Sequence, residues 1–238
     1  RHFIVTDMLR PPAPGTSALA RAFLTPEPGG GSSRRETQVV LGLSGAIFAW
    51  ALAYKLICYR DLTYSSDLFQ FAQLATTWLR GRFLEDNCYG YHLSIHTYFF
   101  CPVLAIFVLP LGPAGLLLSL ALAMAAGFAA FAKILRLFGV PLLPACVGAI
   151  LATLMPFTVH VYQDTVYGFH VELLMPAFGL WLAYCLFRRH RAGAAACALA
   201  LLAMKEEAPL AVAAIAAVVL LEDFVRTLAR QPDRGWRT

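Results

Sequence analysis

Charge is what this chain has least of. Asp, Glu, Lys and Arg together make up 14% of its 238 residues, against 59% hydrophobic residues and a mean hydropathy of +0.65. Those values lie outside the usage of soluble domains, so the chain is an integral membrane protein. Patterned cysteine is missing too. The six residues Cys58, Cys88, Cys101, Cys146, Cys185 and Cys197 show no C-x-x-C spacing, which indicates neither a zinc site nor a disulfide framework. All but Cys88 lie in or beside apolar runs, where a thiol behaves as a small hydrophobe; a bridge between Cys88 and Cys101 stays open as an alternative. No internal repeat and no signal with a small-residue cleavage site stands out. The chain opens on Arg1, and the true start is expected at Met8 or further upstream. Basic residues exceed acidic ones by 19 to 14, but the surplus falls in loops flanking apolar runs. There it sets membrane orientation rather than a polyanion site, and no nucleic-acid partner is expected.

What is present is a series of apolar runs. Residues 1–37 are rich in Pro, Gly and Ser and are expected to form a disordered cytoplasmic tail. Residues 38–222 form the membrane domain and 223–238 a basic cytoplasmic tail. A first span is predicted from Val39 to Cys58, long enough for a hydrocarbon layer of ~30 Å at ~1.5 Å per residue. The first external loop, 59–113, then holds Ser65-Ser66-Asp67 followed by Leu68, Phe71, Ala72, Ala75, Trp78 and Leu79. That three-and-four spacing predicts an amphipathic helix on the membrane surface, with Leu68, Phe71, Ala75 and Trp78 facing lipid or the bundle and Asp67 facing the cavity. The run Tyr98–Leu111 is too short to span and reads as a re-entrant or interfacial helix before the Gly112-Pro113 break. Further spans are predicted at Ala114–Leu135, Leu142–Tyr162, Leu173–Phe187, Ala192–Met204 and Ala208–Leu221.

The positive-inside rule gives one orientation for these six spans. The N-terminus is cytoplasmic, Lys133, Arg136 and Arg188 to Arg191 lie inside, and the outer loops are net acidic. Counting Tyr98–Leu111 as a span reverses the later loops and is rejected. The accepted topology places Asp67, His92, His96, Asp164, His170, Glu172, Lys205, Glu206 and Glu207 on one external or periplasmic face. Charged groups cost up to ~2.5 to 3.5 kcal/mol each on insertion scales, the full figure applying at the centre of a span, so those at or within the membrane edge are expected to face a cavity and one another. The hairpin at Arg188 to Arg191 makes its two spans antiparallel. It should therefore bring Lys205 or Glu206 to His170 or Glu172, helped by a small-residue face of Gly193, Ala196, Cys197 and Ala200.

Each candidate also has a plainer reading. Asp67 follows two serines at a helix start, where a carboxylate meets free backbone amides, a role compatible with catalysis. His92 and His96, four apart, suit ligands on one helix face or ordinary interfacial histidines. His170 and Glu172 alternate with Val171 and point to one side, into a polar site or into solvent. Lys205 and Glu206 serve a site or merely neutralise each other.

In order along the chain, SSDLFQFAQ, HLSIH, the GFHVE loop and MKEEAPL resemble the predicted membrane protein family termed domain of unknown function 2079. That family shows a DLG-F-Q segment, an H-F-SP segment, a DFHPE loop and a KED turn. The similarity covers roughly residues 60 to 222. Here Gly168, Val171 and Glu207 replace the Asp and Pro of DFHPE and the Asp of KED. The family in turn resembles the C-type membrane glycosyltransferases, which use polyprenyl-phosphate sugars on the outer face. The resemblance implies an all-α polytopic fold of about six transmembrane helices with one surface helix and one short re-entrant helix, in a bacterial inner membrane. It maps the acidic residue of the first external loop, base or metal-linked carboxylate, onto Asp67. The expected catalytic set is Asp67, His170, Glu172, Lys205 and Glu206, with His92, His96, Asp164 and Glu207 binding substrate. Lys205, a His or a divalent metal would steady the departing phosphate. The other class that fits is a transporter or non-catalytic membrane protein with a proton or cation path. Polar groups gathered at one face, without related halves, favour the transferase.

Overall fold

The computed structural model describes residues 34–91, 93, 96–155 and 166–230. They are mostly helical, with almost no sheet. The helices are α1 (Arg34–Arg60), α2 (Asp67–Thr76), α3 (Ala105–Leu111), α4 (Ala114–Leu137), α5 (Leu142–Leu154), α6 (Met175–Phe187), α7 (Arg191–Leu202) and α8 (Ala208–Arg230). Short 3₁₀ turns precede α3 at Cys101–Leu104 and α6 at Val171–Leu174, and another follows α2 at Thr77–Arg80. Strands β1 (Glu85–Asp86) and β2 (Gly90–Tyr91) form a small antiparallel hairpin, with Glu85 opposite Tyr91.

Helix α1 begins at Arg34 rather than near Val39. Glu36 lies in its first turn and Arg60 in its last, the charge order that suits a helix dipole. Residues 34–37, expected in the tail, are thus helical because Glu36 has a partner. Arg136, in the last turn of α4, places its Nε 2.7 Å from Glu36 Oε1 and donates from Nη1 to the carbonyl of Val140 at 2.7 Å. This pair joins the start of α1 to the end of α4, so the two helices run antiparallel. Arg188, Arg189 and Arg191 belong to the turn and helix start between α6 and α7.

Helix α4 is the centre of the bundle, packing against α1, α5 and α6. Leu116, Leu117 and Leu120 of α4 are buried in one cluster with Leu68, Phe71 and Leu74 of α2, with Phe169 and Val171, and with Leu201 and Met204. A second cluster, nearer the Glu36–Arg136 pair, joins Val40, Phe128, Ala132, Leu142 and Cys146. Gly115 permits the return of the chain from α3 into α4, since a Cβ there would lie 2.2 Å from the Phe107 carbonyl oxygen. The α6–α7 hairpin is equally tight. His190 Nδ1 accepts from the Gly193 amide at 3.0 Å, and a Cβ on Gly193 would meet His190 Nδ1 at 2.5 Å and Cys185 Sγ at 2.8 Å.

Two helices, α1 and α4, are long and apolar enough to cross a membrane, while Cys101–Leu111, Leu142–Leu154, Val171–Phe187, Arg191–Leu202 and Ala208–Glu222 are apolar but shorter. Helix length by itself therefore provides two spans, and the expected six rest on orientation and packing. Within the span predicted for Leu142–Tyr162, α5 covers Leu142–Leu154, and residues 156–165 lie outside the described set.

The expected surface helix forms, with a correction. Leu68, Phe71, Ala72, Leu74 and Ala75 of α2 are all buried, so of the two surroundings expected for this face, lipid or the bundle, it takes the bundle, packing against α3 and the Cys101–Leu104 turn. Trp78 and Leu79, predicted to share its apolar face, are 42% and 50% exposed. The change to 3₁₀ geometry at Thr77 breaks the α-helical period that would have carried them inward. The six cysteines are free, and Cys101 is buried while Cys88 is exposed.

Candidate functional site

Four segments distant in sequence meet at the end of the bundle away from the Glu36–Arg136 pair. They are the start of α2, the stretch His96–Tyr98, the loop 166–172, and the turn 203–207 between α7 and α8. Backbone hydrogen bonds fix them together. The Ser65 amide donates to the Val166 carbonyl at 2.7 Å, and the Phe100 amide to the Ala203 carbonyl at 2.7 Å. Phe71 supplies the floor, its ring 5.2 Å from those of Tyr98 and His170 and 5.5 Å from that of Phe169.

Asp67 and His170 face each other, with Oδ2 and Nε2 3.3 Å apart. The approach lacks hydrogen-bond alignment, because His170 Nε2 is a buried atom without a hydrogen-bond partner. Ser66, at the α2 cap position, makes no side-chain cap bond, and the Asp67 amide instead donates to Ser65 Oγ at 3.4 Å. Glu172 takes a donor pair on one oxygen, accepting Lys205 Nζ at 2.9 Å and the Tyr98 hydroxyl at 2.9 Å on Oε1. Its second oxygen, Oε2, lies 3.9 Å from His170 Nδ1 and is likewise buried without a hydrogen-bond partner. Two buried polar atoms of adjacent groups, one nitrogen and one oxygen, are therefore available to a polar ligand.

A second pair lies beside the first. Glu206 Oε1 is 2.8 Å from His96 Nδ1, while Oε2 accepts the Thr97 amide at 3.4 Å and the Thr97 hydroxyl at 3.5 Å. The His96 and Tyr98 rings are 5.0 Å apart and bring the two pairs into contact.

The charges respond to these partners. Burial pushes Glu172 toward protonation, but the Lys205 hydrogen bond and charge outweigh it, leaving the carboxyl below its ordinary value. Lys205 is raised by its hydrogen bond from the ammonium to Glu172, against the opposing effect of burial. Glu206 falls to about 2 through its own backbone amide and through His96. Tyr98 is raised well above the ordinary phenol value by burial and by the Glu172 charge. The site thus holds an ion pair that stays charged across the physiological range, with a neutral phenol as its second donor.

Residues 59–236 match the family described as predicted membrane protein, DUF2079. The chain belongs to this family. No curated protein and no solved structure shows significant similarity to it. Every residue of the cluster falls inside the matched span, and the four polar segments that carried the resemblance supply its walls.

The juxtaposition expected of Lys205 and Glu172 is a direct contact. Glu206 goes elsewhere, to His96 rather than to the His170 loop. His96 sits in irregular chain, so the one-helix-face arrangement expected with His92 is not formed at His96; His92 and Asp164 lie outside the described residues. Glu207 is exposed and acts on Lys205 only through charge. His170 has the expected extended backbone, but the extended loop expected through Glu172 ends there, because Val171–Leu174 forms a 3₁₀ turn; Val171 is buried in the core from that turn and not by strand-like alternation. Among the described residues no group of three or more His, Cys, Asp or Glu is arranged to hold a metal ion. Three contributors carry no sequence signal that separates them from interfacial residues: Tyr98 at the edge of an apolar run, Thr97, and Phe71.

An apolar groove of about 300 Å³ begins two residues beyond the polar cluster along two of its segments. Phe100 and Leu174 line it together with Phe107, Ala123, Phe178 and Trp181. Its one hydroxyl, Ser119 Oγ, is already donated to the Leu116 carbonyl at 2.7 Å.

Proposed function

We propose that this membrane protein transfers a sugar from a polyprenyl-phosphate donor, with the polar cluster as its active site on the external face. What carries the reading is that Asp67, His170, Glu172, Lys205 and Tyr98 meet from four separate segments, and that Phe100 and Leu174, two residues on from Tyr98 and Glu172, line an apolar groove. An amphipathic substrate has the same division, a charged and hydroxylated head on an apolar chain. The groove gains little affinity from the chain, since lipid tails are as apolar as its walls; it orients the donor while polar contacts hold the head.

In the proposed step the acceptor hydroxyl oxygen bonds to the anomeric carbon of the donor sugar. Its proton passes to the Asp67 carboxylate. The bond between that carbon and the phosphate oxygen breaks, and polyprenyl phosphate leaves with the electron pair. Lys205, held by Glu172, offers an ammonium to the charge that develops on the departing phosphate. His170 Nε2 and Glu172 Oε2 are placed to bind sugar or acceptor hydroxyls.

The direct test is radiolabel transfer from a panel of polyprenyl-phosphate sugars by the purified full chain in nanodiscs. Labelled product from at least one donor, lost in Asp67→Asn, is the expected result. Proton-coupled uptake into vesicles with no transfer from any donor would assign the cluster to a transporter instead.

Sidedness has its own check. In a cysteine-free background, Glu207→Cys is expected to react with an impermeant maleimide from outside the cell and Arg189→Cys only after lysis. Labelling of position 207 only after lysis would reverse the topology and remove the external face from this reading.

A further inference from the structure

Lys55 is a buried cation near the cluster that the proposed chemistry leaves unused. It lies in the last turns of α1, 2% exposed, and its Nζ donates to the Gly168 carbonyl at 3.1 Å. The ammonium also lies 5.4 Å from the centre of the Tyr64 ring, whose hydroxyl donates back to the Lys55 carbonyl at 3.3 Å. A cation sequestered at the end of a membrane-spanning helix has to be compensated to be retained, and both contacts draw it to the segments that carry Asp67 and His170. Gly168 is at φ +79°, and a Cβ there would meet the Tyr64 ring at 2.7 Å, so both backbone and contact demand glycine. The adjoining Ser65 amide closes onto Val166 at 2.7 Å.

We infer that Lys55, Tyr64 and Gly168 form a clamp in which Lys55 is a positioning residue for His170. The placement along the chain supports this. Ser65 is two residues before Asp67 and Gly168 is two before His170, so tying 64–65 to 166–168 fixes the separation of the next pair, 3.3 Å between Asp67 and His170. Lys55 does not touch the two buried, unpartnered atoms at the centre of the cluster. It acts through the carbonyl of Gly168 and the ring of Tyr64.

The inference rests on the reading of His170 as a site residue, but its test does not require transfer activity. The full chain in nanodiscs is treated with diethyl pyrocarbonate, and the modification rate of each histidine is read by peptide mass spectrometry. In Lys55→Met and Gly168→Ala the rate at His170 is expected to rise at least fivefold, while His190, which caps α7 at the opposite end, keeps its parental rate. Lys55→Arg keeps a cation able to donate to the same carbonyl and is expected to stay within twofold of the parent at His170. An unchanged His170 rate in both Lys55→Met and Gly168→Ala overturns the clamp. A parallel rise at His190 also overturns it, since Lys55 would then support the whole fold and not this loop. If transfer is never detected but the selective rise at His170 is, the clamp stands and only the glycosyl-transfer reading falls.

Discussion

Asp67→Asn is expected to lower sugar transfer by about 10²- to 10⁴-fold, the range over which a positioned proton acceptor contributes, while leaving the protein folded and inserted. Asn has nearly the same shape, and the Asp67 carboxylate and His170 ring are 26% and 31% exposed and lie 3.3 Å apart without alignment. An approach without an aligned hydrogen bond is expected to add less to stability than the ~1 kcal/mol of a formed one. Initial rates and thermal midpoints measured on the same nanodisc preparation separate the two effects. A rate within about threefold of the parent removes Asp67 from the base role. A large loss of midpoint would make the carboxylate structural.

The second large effect belongs to the pair of Glu172 and Lys205. Their side chains are 23% and 19% exposed and 2.9 Å apart, and Glu172 also accepts the Tyr98 hydroxyl. Glu172→Gln strands the ammonium, and Lys205→Met strands the carboxylate. Each is expected to cost about 2 to 3 kcal/mol, the upper range for a hydrogen bond to a charged group. The double variant should cost less than the sum by roughly 1 to 2 kcal/mol, because the second substitution removes a group that has already lost its charged partner. Strict additivity in denaturation midpoints would show that the two groups do not act as a pair.

The pH dependence has a definite sign. Glu172 is depressed, so its share is fully present above the ordinary carboxyl value of about 4.3 and fades as pH falls through the lower folded value. Lys205 is raised, so its share is fully present below about 10.4 and fades as pH rises through the higher folded value. The midpoint difference between parent and Glu172→Gln should therefore be flat from about pH 5 to pH 10 and shrink only beyond those limits. A difference that vanishes near neutrality contradicts this assignment.

Much of the cluster was legible because it breaks the dominant pattern. In a chain so short of charge, Asp67, His170, Glu172, Lys205 and Glu206 stand out as ionisable groups at the edges of apolar runs, where they are costly unless they meet. The length of the α6–α7 hairpin was legible too, and with it the approach of Glu172 to Lys205. The choice of partners was not. Glu206 and Lys205 are neighbours in sequence, yet Glu206 turns to His96 and Lys205 to Glu172, because the turn between α7 and α8 sends successive side chains in different directions. Tyr98 read as the start of an apolar run, and nothing in its neighbours' spacing marks it as a donor to Glu172.

By itself the sequence determined the solvent this protein lives in, its helical class, its family, and which few residues are too polar for their surroundings. The family follows from the resemblance of four polar segments in order, the rest from composition and period, properties that are local along the chain. Only the tertiary structure decided that the apolar face of α2 meets the bundle and not lipid. It alone set Lys55 and Gly168 to tie α1 to the His170 loop, and opened an apolar groove beside the polar cluster. Each of these depends on which helix lies against which, and close packing fixes that through contacts between residues far apart in sequence.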